Sequence, residues 1–172
     1  QQPPLYLTTL LPPAELAERE HAIKQEIAER YDTHVAITKP AHITLVPPYR
    51  ATEEQLEQLV TLHENTAKQL EPLDLVLDGF GCFEGNRTVF INVQPSEPLQ
   101  QLYSLLKAGF IDLGQAKEKH FHAGPLKPHL TVAYRDLSPE TFEAIWQAYQ
   151  HVPFSALFPV TSIWIMQYVD RV

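Results

Sequence analysis

Two short segments of the chain carry the same order of residue types: histidine, an apolar residue, threonine, and another apolar residue. They are His42-Ile43-Thr44-Leu45 and His129-Leu130-Thr131-Val132. Because side chains alternate between the faces of an extended strand, each segment would bury its apolar residues and present an imidazole beside a hydroxyl. Histidine, with an unperturbed pKa of about 6.5, can accept or donate a proton near neutral pH. Two such strands facing one groove would supply an acid and a base for displacement at phosphorus.

A single motif of this kind is weak evidence of a functional histidine, because alternating sequences produce it by chance. In that interpretation the histidine is an ordinary surface or hydrogen-bonded residue. The two copies, however, occupy matching places in a repeated order of elements. The spacing between the histidines nearly equals the spacing between two helix caps, Thr52 and Ser138. This agreement favours a duplicated plan in which the two motifs meet.

The repeated order is strand, helix, motif strand, helix, strand. The first pass places strands at 5–11 and 73–83, and the second places strands at 88–93 and 154–169. Helices begin near Pro13, at a Thr52 capping box, and after caps at Ser96 and Ser138. We predict one domain, residues 1–172, with pseudo-symmetric lobes at roughly 1–84 and 85–172. Exchange of strands between the lobes is left open.

The segments around the motifs read Ala-His-Ile-Thr-Leu-Val-Pro-Pro-Tyr and Lys-Pro-His-Leu-Thr-Val-Ala-Tyr-Arg. These two segments resemble the motifs of the 2H phosphoesterase superfamily, and most closely those of its 2'-5' RNA ligase-like branch. The resemblance implies a bilobal α+β fold, with two antiparallel sheets facing a central cleft and helices outside. It implies a cyclic phosphodiesterase or RNA ligase without cofactor or metal, with His42, Thr44, His129 and Thr131 as the catalytic residues.

Four further residues are candidates for binding substrate. On strict strand alternation Arg135 shares the face of His129 and would contact phosphate, although a solvated arginine at the strand end is the competing interpretation. Lys127 directly precedes the second motif and could reach the groove. Tyr6 and Phe90 occupy comparable places in the opening strands of the two halves. Either aromatic could stack on a base, but core packing is the stronger interpretation for both.

Other conspicuous residues receive structural interpretations. Tyr134 alternates with the apolar residues of its strand and is expected in the core. The polar segment 114–127 is the best candidate for a flap over the groove. Its histidines, His120 and His122, lack further ligands at metal-site spacing and are expected to be solvated. The glutamates of the first helix, Glu20 among them, are expected on its solvated face.

Composition limits the possible partners. A formal charge of −8 argues against a protein that coats long duplex nucleic acid, but it permits a pocket for a small nucleotide or an RNA end. No apolar run approaches the ~20 residues of a membrane span, and no signal peptide is evident. With a single cysteine, Cys82, these features predict a cytoplasmic protein, which we expect to be a monomer.

Three functions stay open. The leading hypothesis is a metal-independent phosphodiesterase that hydrolyses the 2',3'-cyclic phosphate of a nucleotide or RNA end to a 2'-phosphate. A 2'-5' RNA ligase would use the same residues, and a non-catalytic nucleotide- or RNA-binding module would keep the groove without turnover. The sequence shows no Gly-rich phosphate loop and no Gly-x-Ser-x-Gly elbow, so kinase, NTPase and serine hydrolase functions have no support.

Overall fold

The computed structural model describes residues 1–169, which form seven strands and four α-helices. In chain order these are β1 (Leu5–Leu10), α1 (Ala14–Tyr31), β2 (Ile43–Arg50), α2 (Glu53–Ala67), β3 (Leu73–Phe83), β4 (Thr88–Val93), α3 (Glu97–Asp112), β5 (His129–Ala133), α4 (Pro139–Tyr149), β6 (Ser155–Val160) and β7 (Trp164–Gln167). Short 3-10 turns lie at Ala36–Thr38 and Glu118–His120. None of the helices within this range is long and apolar enough to span a bilayer.

The strands form two antiparallel sheets, which confirms the predicted α+β fold class. The first sheet has the order β2-β1-β7 and the second has the order β5-β4-β3-β6. The motif strands β2 and β5 are therefore both edge strands, and they lie in contact with each other. This arrangement places the two His-x-Thr segments side by side where the sheets meet.

The C-terminal strand region, expected as one element over 154–169, is two strands that belong to different sheets. β6 pairs with β3 in the second sheet, whereas β7 pairs with β1 in the first. Residues 161–163 break the strand and carry the chain from one sheet to the other. Each sheet consequently draws strands from both sides of residue 84, because β3 joins the second sheet and β7 the first.

The helix starts follow the local capping chemistry. Thr52 and Gln55 form a capping box at α2, in which the threonine hydroxyl accepts from the Gln55 amide. Ser96 and Ser138 cap α3 and α4 in the same way, through the amides of residues 99 and 141. These side chains satisfy amides that the first turn leaves unpaired, which contributes about 1 kcal/mol per cap.

A buried polar network connects the first sheet to α2. The carbonyl of Leu59 accepts a hydrogen bond from His63, so Nδ1 carries the proton and Nε2 is an acceptor. Thr8 Oγ1 therefore donates to His63 Nε2 at 2.9 Å and accepts from the Tyr49 hydroxyl at 2.8 Å. Burial lowers the pKa of His63, which agrees with a neutral ring.

Candidate active site

A cavity of about 550 Å³ is walled by residues of both sheets. His42 and Thr44 line it from the first sheet, and His129 and Thr131 line it from the second. The apolar residues between them are fully buried on the opposite face, as strand alternation requires. One departure is that β2 begins at Ile43, so His42 lies just before its strand rather than on it. The two motifs nevertheless meet at one cavity.

Each histidine ring is oriented by a backbone carbonyl two residues earlier. His42 Nδ1 lies 2.7 Å from the Pro40 oxygen, and His129 Nδ1 lies 2.8 Å from the Lys127 oxygen. A carbonyl can only accept, so both rings carry a proton on Nδ1. The nitrogen left for a substrate is therefore Nε2 in both cases. In the neutral ring this atom is a base, and in the protonated ring it is an acid.

Burial lowers the pKa of both histidines below the usual value for the side chain. For His42, desolvation is the largest cause, and the positive charges of Lys24 and Lys39 and the His129 ring lower the pKa further. For His129, desolvation is again the largest cause, and the charge of His122 lowers the pKa further. In both cases the Nδ1–carbonyl hydrogen bond opposes the shift. Burial thus favours the neutral form of both imidazoles.

His129 is also packed by aromatic rings. Its ring stands edge-on to Phe83, with centroids 4.9 Å apart, and is tilted against Phe90 at 5.2 Å. Phe90 is buried and packs against the His129 ring, but it does not line the cavity. Tyr6 is also buried away from the cavity, stacked on Tyr49 at 6.2 Å. Both rings are therefore used in core packing, which is the interpretation that the sequence favours for each.

The aromatic cavity wall comes from other residues. Tyr134, expected in the core, lines the cavity because β5 ends at Ala133 and strand alternation ends with it. Phe83, Phe121 and Tyr168 also line the cavity. A prediction based on the opening strands of the two halves misses these four residues, because most of them lie at strand ends or in loops. Their rings provide flat apolar surfaces of the kind on which a nucleobase stacks.

The cavity is cationic although the chain carries a net negative charge. Lys24, Lys39, Lys127 and Arg135 all line it, and none of the described lining residues is Asp or Glu. The candidates Lys127 and Arg135 are thus placed at the cavity. Arg135 arrives there through a left-handed backbone (φ 70°) in the turn after β5, not through strand alternation. Such a lining favours a phosphate-bearing ligand through local charge.

Lys24 and Glu20 form a buried ion pair that the sequence pattern does not reveal. The structure buries Glu20 and corrects its expected place on the solvated face: it is 1 % exposed and Lys24 is 4 % exposed. The two side chains form an ion pair one turn apart, with 2.6 Å between Nζ and Oε1. Desolvation outweighs the ammonium and raises the pKa of Glu20 to about 7.

The polar segment before the second motif packs onto the body of the protein. Phe121 is buried against Tyr103, and Lys107 pairs with Glu118 at 2.5 Å. Of its two histidines, His122 lines the cavity, and both His120 and His122 are solvent-exposed, as the sequence predicts. Within residues 1–169, no three His, Cys, Asp or Glu side chains lie together as a protein-held metal would require. The segment therefore forms part of the cavity wall, through residues such as Phe121 and His122, and adds the positive charge of Lys127.

The fold and the paired motifs define an enzyme of the two-histidine phosphoesterase class. A sequence model of the 2'-5' RNA ligase superfamily matches residues 9–171, and the chain belongs to that superfamily. A protein of Oceanobacillus iheyensis named "Putative phosphoesterase" is 27 % identical over 167 residues, covering 96 % of this chain and 85 % of that protein. One of the same name from Bacillus cytotoxicus is 34 % identical over 110 residues, covering 63 % of this chain and 59 % of that protein.

Solved structures share the fold. Escherichia coli LigT complexed with 3'-AMP has a TM-score of 0.74 and 23 % identity, covering 99 % of this chain and 91 % of that one. LigT complexed with NADP+ gives a TM-score of 0.68 at 21 % identity, with the same coverage. TT0787 of Thermus thermophilus gives 0.70 at 21 % identity, covering 94 % of this chain and 86 % of that one. At these identities the likeness establishes the architecture.

Proposed function

We propose that this protein hydrolyses the 2',3'-cyclic phosphate of a nucleotide or a short RNA end and leaves a 2'-phosphate. One observation carries the proposal: two histidines from different sheets line one cationic cavity, and both keep Nε2 for the substrate. Membership of the superfamily and the nucleotides bound in the LigT structures support a nucleotide ligand. We further expect the protein to act as a monomer in the cytoplasm.

In the proposed reaction, the neutral imidazole takes a proton from water as the water oxygen attacks phosphorus. The bond between phosphorus and the ribose 3' oxygen breaks, and the protonated imidazole gives its proton to that oxygen. The hydroxyls of Thr44 and Thr131, which line the same cavity, donate to the non-bridging oxygens as charge builds there. Lys127 and Arg135 neutralise the phosphate, and the aromatic wall holds the base.

The same geometry would serve 2'-5' ligation, in which a ribose 5' hydroxyl replaces water as the attacking group. The net charge of −8 disfavours two long RNA strands bound at once, and hydrolysis is therefore the function we prefer. Supplying cleaved RNA halves, one ending in a cyclic phosphate and the other in a 5' hydroxyl, would reveal a joined product if ligation dominates.

The test is turnover of the four 2',3'-cyclic nucleotides, with the product identified by phosphorus NMR. We expect the 2'-phosphate alone, because the 3' oxygen is the leaving group. A contaminating ribonuclease would give the 3'-phosphate, so the regiochemistry serves as an internal control. His151→Ala, which removes an exposed histidine outside the cavity lining, should match the parent. Binding of 2'-AMP without turnover of any cyclic substrate would contradict the proposal and favour a binding module.

A further inference from the structure

A helix side chain reaches the backbone three residues before each motif histidine. On the first side, Lys24 of α1 donates from Nζ to the Lys39 carbonyl at 2.9 Å. On the second, Gln100 of α3 donates from Nε2 to the Leu126 carbonyl at 2.7 Å. The Gln100 oxygen also accepts from the Leu126 amide at 2.9 Å. The two sides thus use different residues to hold the same backbone position relative to the histidine.

The held peptide lies next to the carbonyl that orients the imidazole. Lys39 precedes Pro40, whose oxygen accepts from His42 Nδ1, and Leu126 precedes Lys127, whose oxygen accepts from His129 Nδ1. A proline in each segment, at position 40 or 128, fixes a further backbone dihedral. In both segments, the carbonyl that accepts from the imidazole therefore follows directly after a residue that a helix side chain holds by a hydrogen bond.

These segments need such support because the sheets do not provide it. β2 begins at Ile43 and β5 begins at His129, so residues 39–41 and 126–128 precede the strand ladders. Without the helix side chains, fewer hydrogen bonds would hold the backbone next to the carbonyls that select the Nδ1-protonated tautomer. A misplacement of about 1 Å at a reacting group can cost about 100-fold in rate.

The burial of Lys24 indicates that its ammonium is kept for the hydrogen bond to the Lys39 carbonyl. A lysine that is 4 % exposed and a glutamate that is 1 % exposed carry a large desolvation cost, and a hydrophobic pair of similar volume is often at least as stable. The ammonium bond to Lys39 is an interaction that an apolar replacement would lose. Gln100 makes the equivalent bond with a neutral amide, which shows that the shared element is the donor and not the charge.

We propose that Lys24 and Gln100 are positioning residues for His42 and His129, each holding the residue directly before the one whose carbonyl accepts from the imidazole. The role in turnover rests on the proposed function, but the orientation of the rings does not. The two predictions therefore have separate readouts, a spectroscopic one for ring orientation and a kinetic one for the reaction.

The experiment is a crossover of two variants, observed by nitrogen-15 NMR of the histidine rings and by steady-state kinetics. Glu20→Leu with Lys24→Met removes both members of the buried pair, so that no lone charge is left inside. We expect the His42 nitrogens to lose the shifts of a pure Nδ1-protonated tautomer while those of His129 stay unchanged. Gln100→Leu should do the reverse. In each variant kcat on a cyclic nucleotide should fall about 10- to 100-fold.

Matched controls are Lys68→Met and Gln147→Leu, which make the same chemical changes at exposed positions outside the cavity lining. They should leave both rings and kcat as in the parent. Unchanged tautomers in the two test variants would overturn the proposal even if activity fell. A higher KM at constant kcat in the Lys24 variant would also overturn it, because that result describes a charge that attracts phosphate.

If circular dichroism shows that the double variant does not fold, an NMR measurement on the parent protein tests the role of Lys24 instead. An ammonium signal protected from exchange, with scalar coupling from Nζ to the Lys39 carbonyl carbon, is expected. Its absence overturns that role, and the role of Gln100 stands on its own variant. If the parent proves inactive on every cyclic substrate, the proposed function fails while the ring signals still test the positioning.

Discussion

Removing either imidazole should abolish most of the activity without unfolding the protein. In His42→Ala or His129→Ala the cavity loses one of its two proton-transfer groups, and each variant should lose about 100- to 10,000-fold in kcat, the usual contribution of one general acid or base. At about 1.36 kcal/mol per factor of ten, this corresponds to roughly 3–5 kcal/mol of transition-state stabilisation. The assay is hydrolysis of a cyclic nucleotide that the parent cleaves.

The two variants should differ in stability, because their rings are packed differently. His129 contacts two aromatic rings, at 4.9 and 5.2 Å between centroids. At about 0.5–1.5 kcal/mol per aromatic contact, His129→Ala should lower the free energy of unfolding by about 1–3 kcal/mol. His42 precedes its strand and bonds a backbone carbonyl, so His42→Ala should cost less than about 1 kcal/mol. Urea denaturation measures both.

A change of leaving group separates the acid from the base. A phosphodiester with a 4-nitrophenyl leaving group needs little protonation, so the variant that lacks the general acid should regain much of its rate on that substrate. The variant that lacks the base should not. If both single variants stay within tenfold of the parent on the cyclic substrate, the two-histidine reasoning is refuted. Equal deficits on both substrates would refute the division of roles.

Three further outcomes follow from buried groups. Because burial lowers the pKa of both motif histidines, the kcat/KM profile should be a bell with its maximum below about pH 6.5, and an optimum above pH 7 would contradict this. Glu20, with its pKa raised from 4.5 to about 7, takes up protons on folding; the parent should lose stability as pH rises from 4.5 through 7, and Glu20→Gln should lose less. Urea melts at pH 5 and pH 8 measure the difference, and parallel curves for the two proteins would refute it. Thr8→Val should cost about 1–3 kcal/mol, because two buried partners lose their bonds, whereas Thr9→Val, which removes a buried hydroxyl without a partner among the described residues, should stay within about 0.5 kcal/mol. Equal thermal shifts for the two valine variants would contradict the network.

The sequence predicted those features that local patterns determine. The motif strands follow from period-two alternation, and Thr52, Ser96 and Ser138 cap their helices as their side-chain chemistry requires. The meeting of the motifs at one cavity was foreseen because two copies of one plan imply related positions. The fold class follows from the resemblance of the motif segments to the superfamily, whereas the repetition by itself indicates only two similar lobes.

Features that depend on contacts between distant elements were missed. The burial of Glu20 and Lys24 depends on where α1 packs, which helical periodicity alone does not reveal. Tyr134 and Arg135 were assigned by strand alternation, but the strand stops at Ala133 and a left-handed residue redirects the chain. The division of the last strand region between two sheets likewise depends on which edges are vacant.

The pairing of the first strand with the last also has a consequence for protein synthesis. Tyr6 lies opposite Gln167, so β1 must wait until residues 164–167 have been synthesised before its sheet is complete. A nascent chain that ends near residue 160 holds every strand of the second sheet, yet β1 has one unpaired edge. Pairings this far apart in sequence form slowly. The first sheet thus gains its third strand only after all the strands of the second sheet have been synthesised.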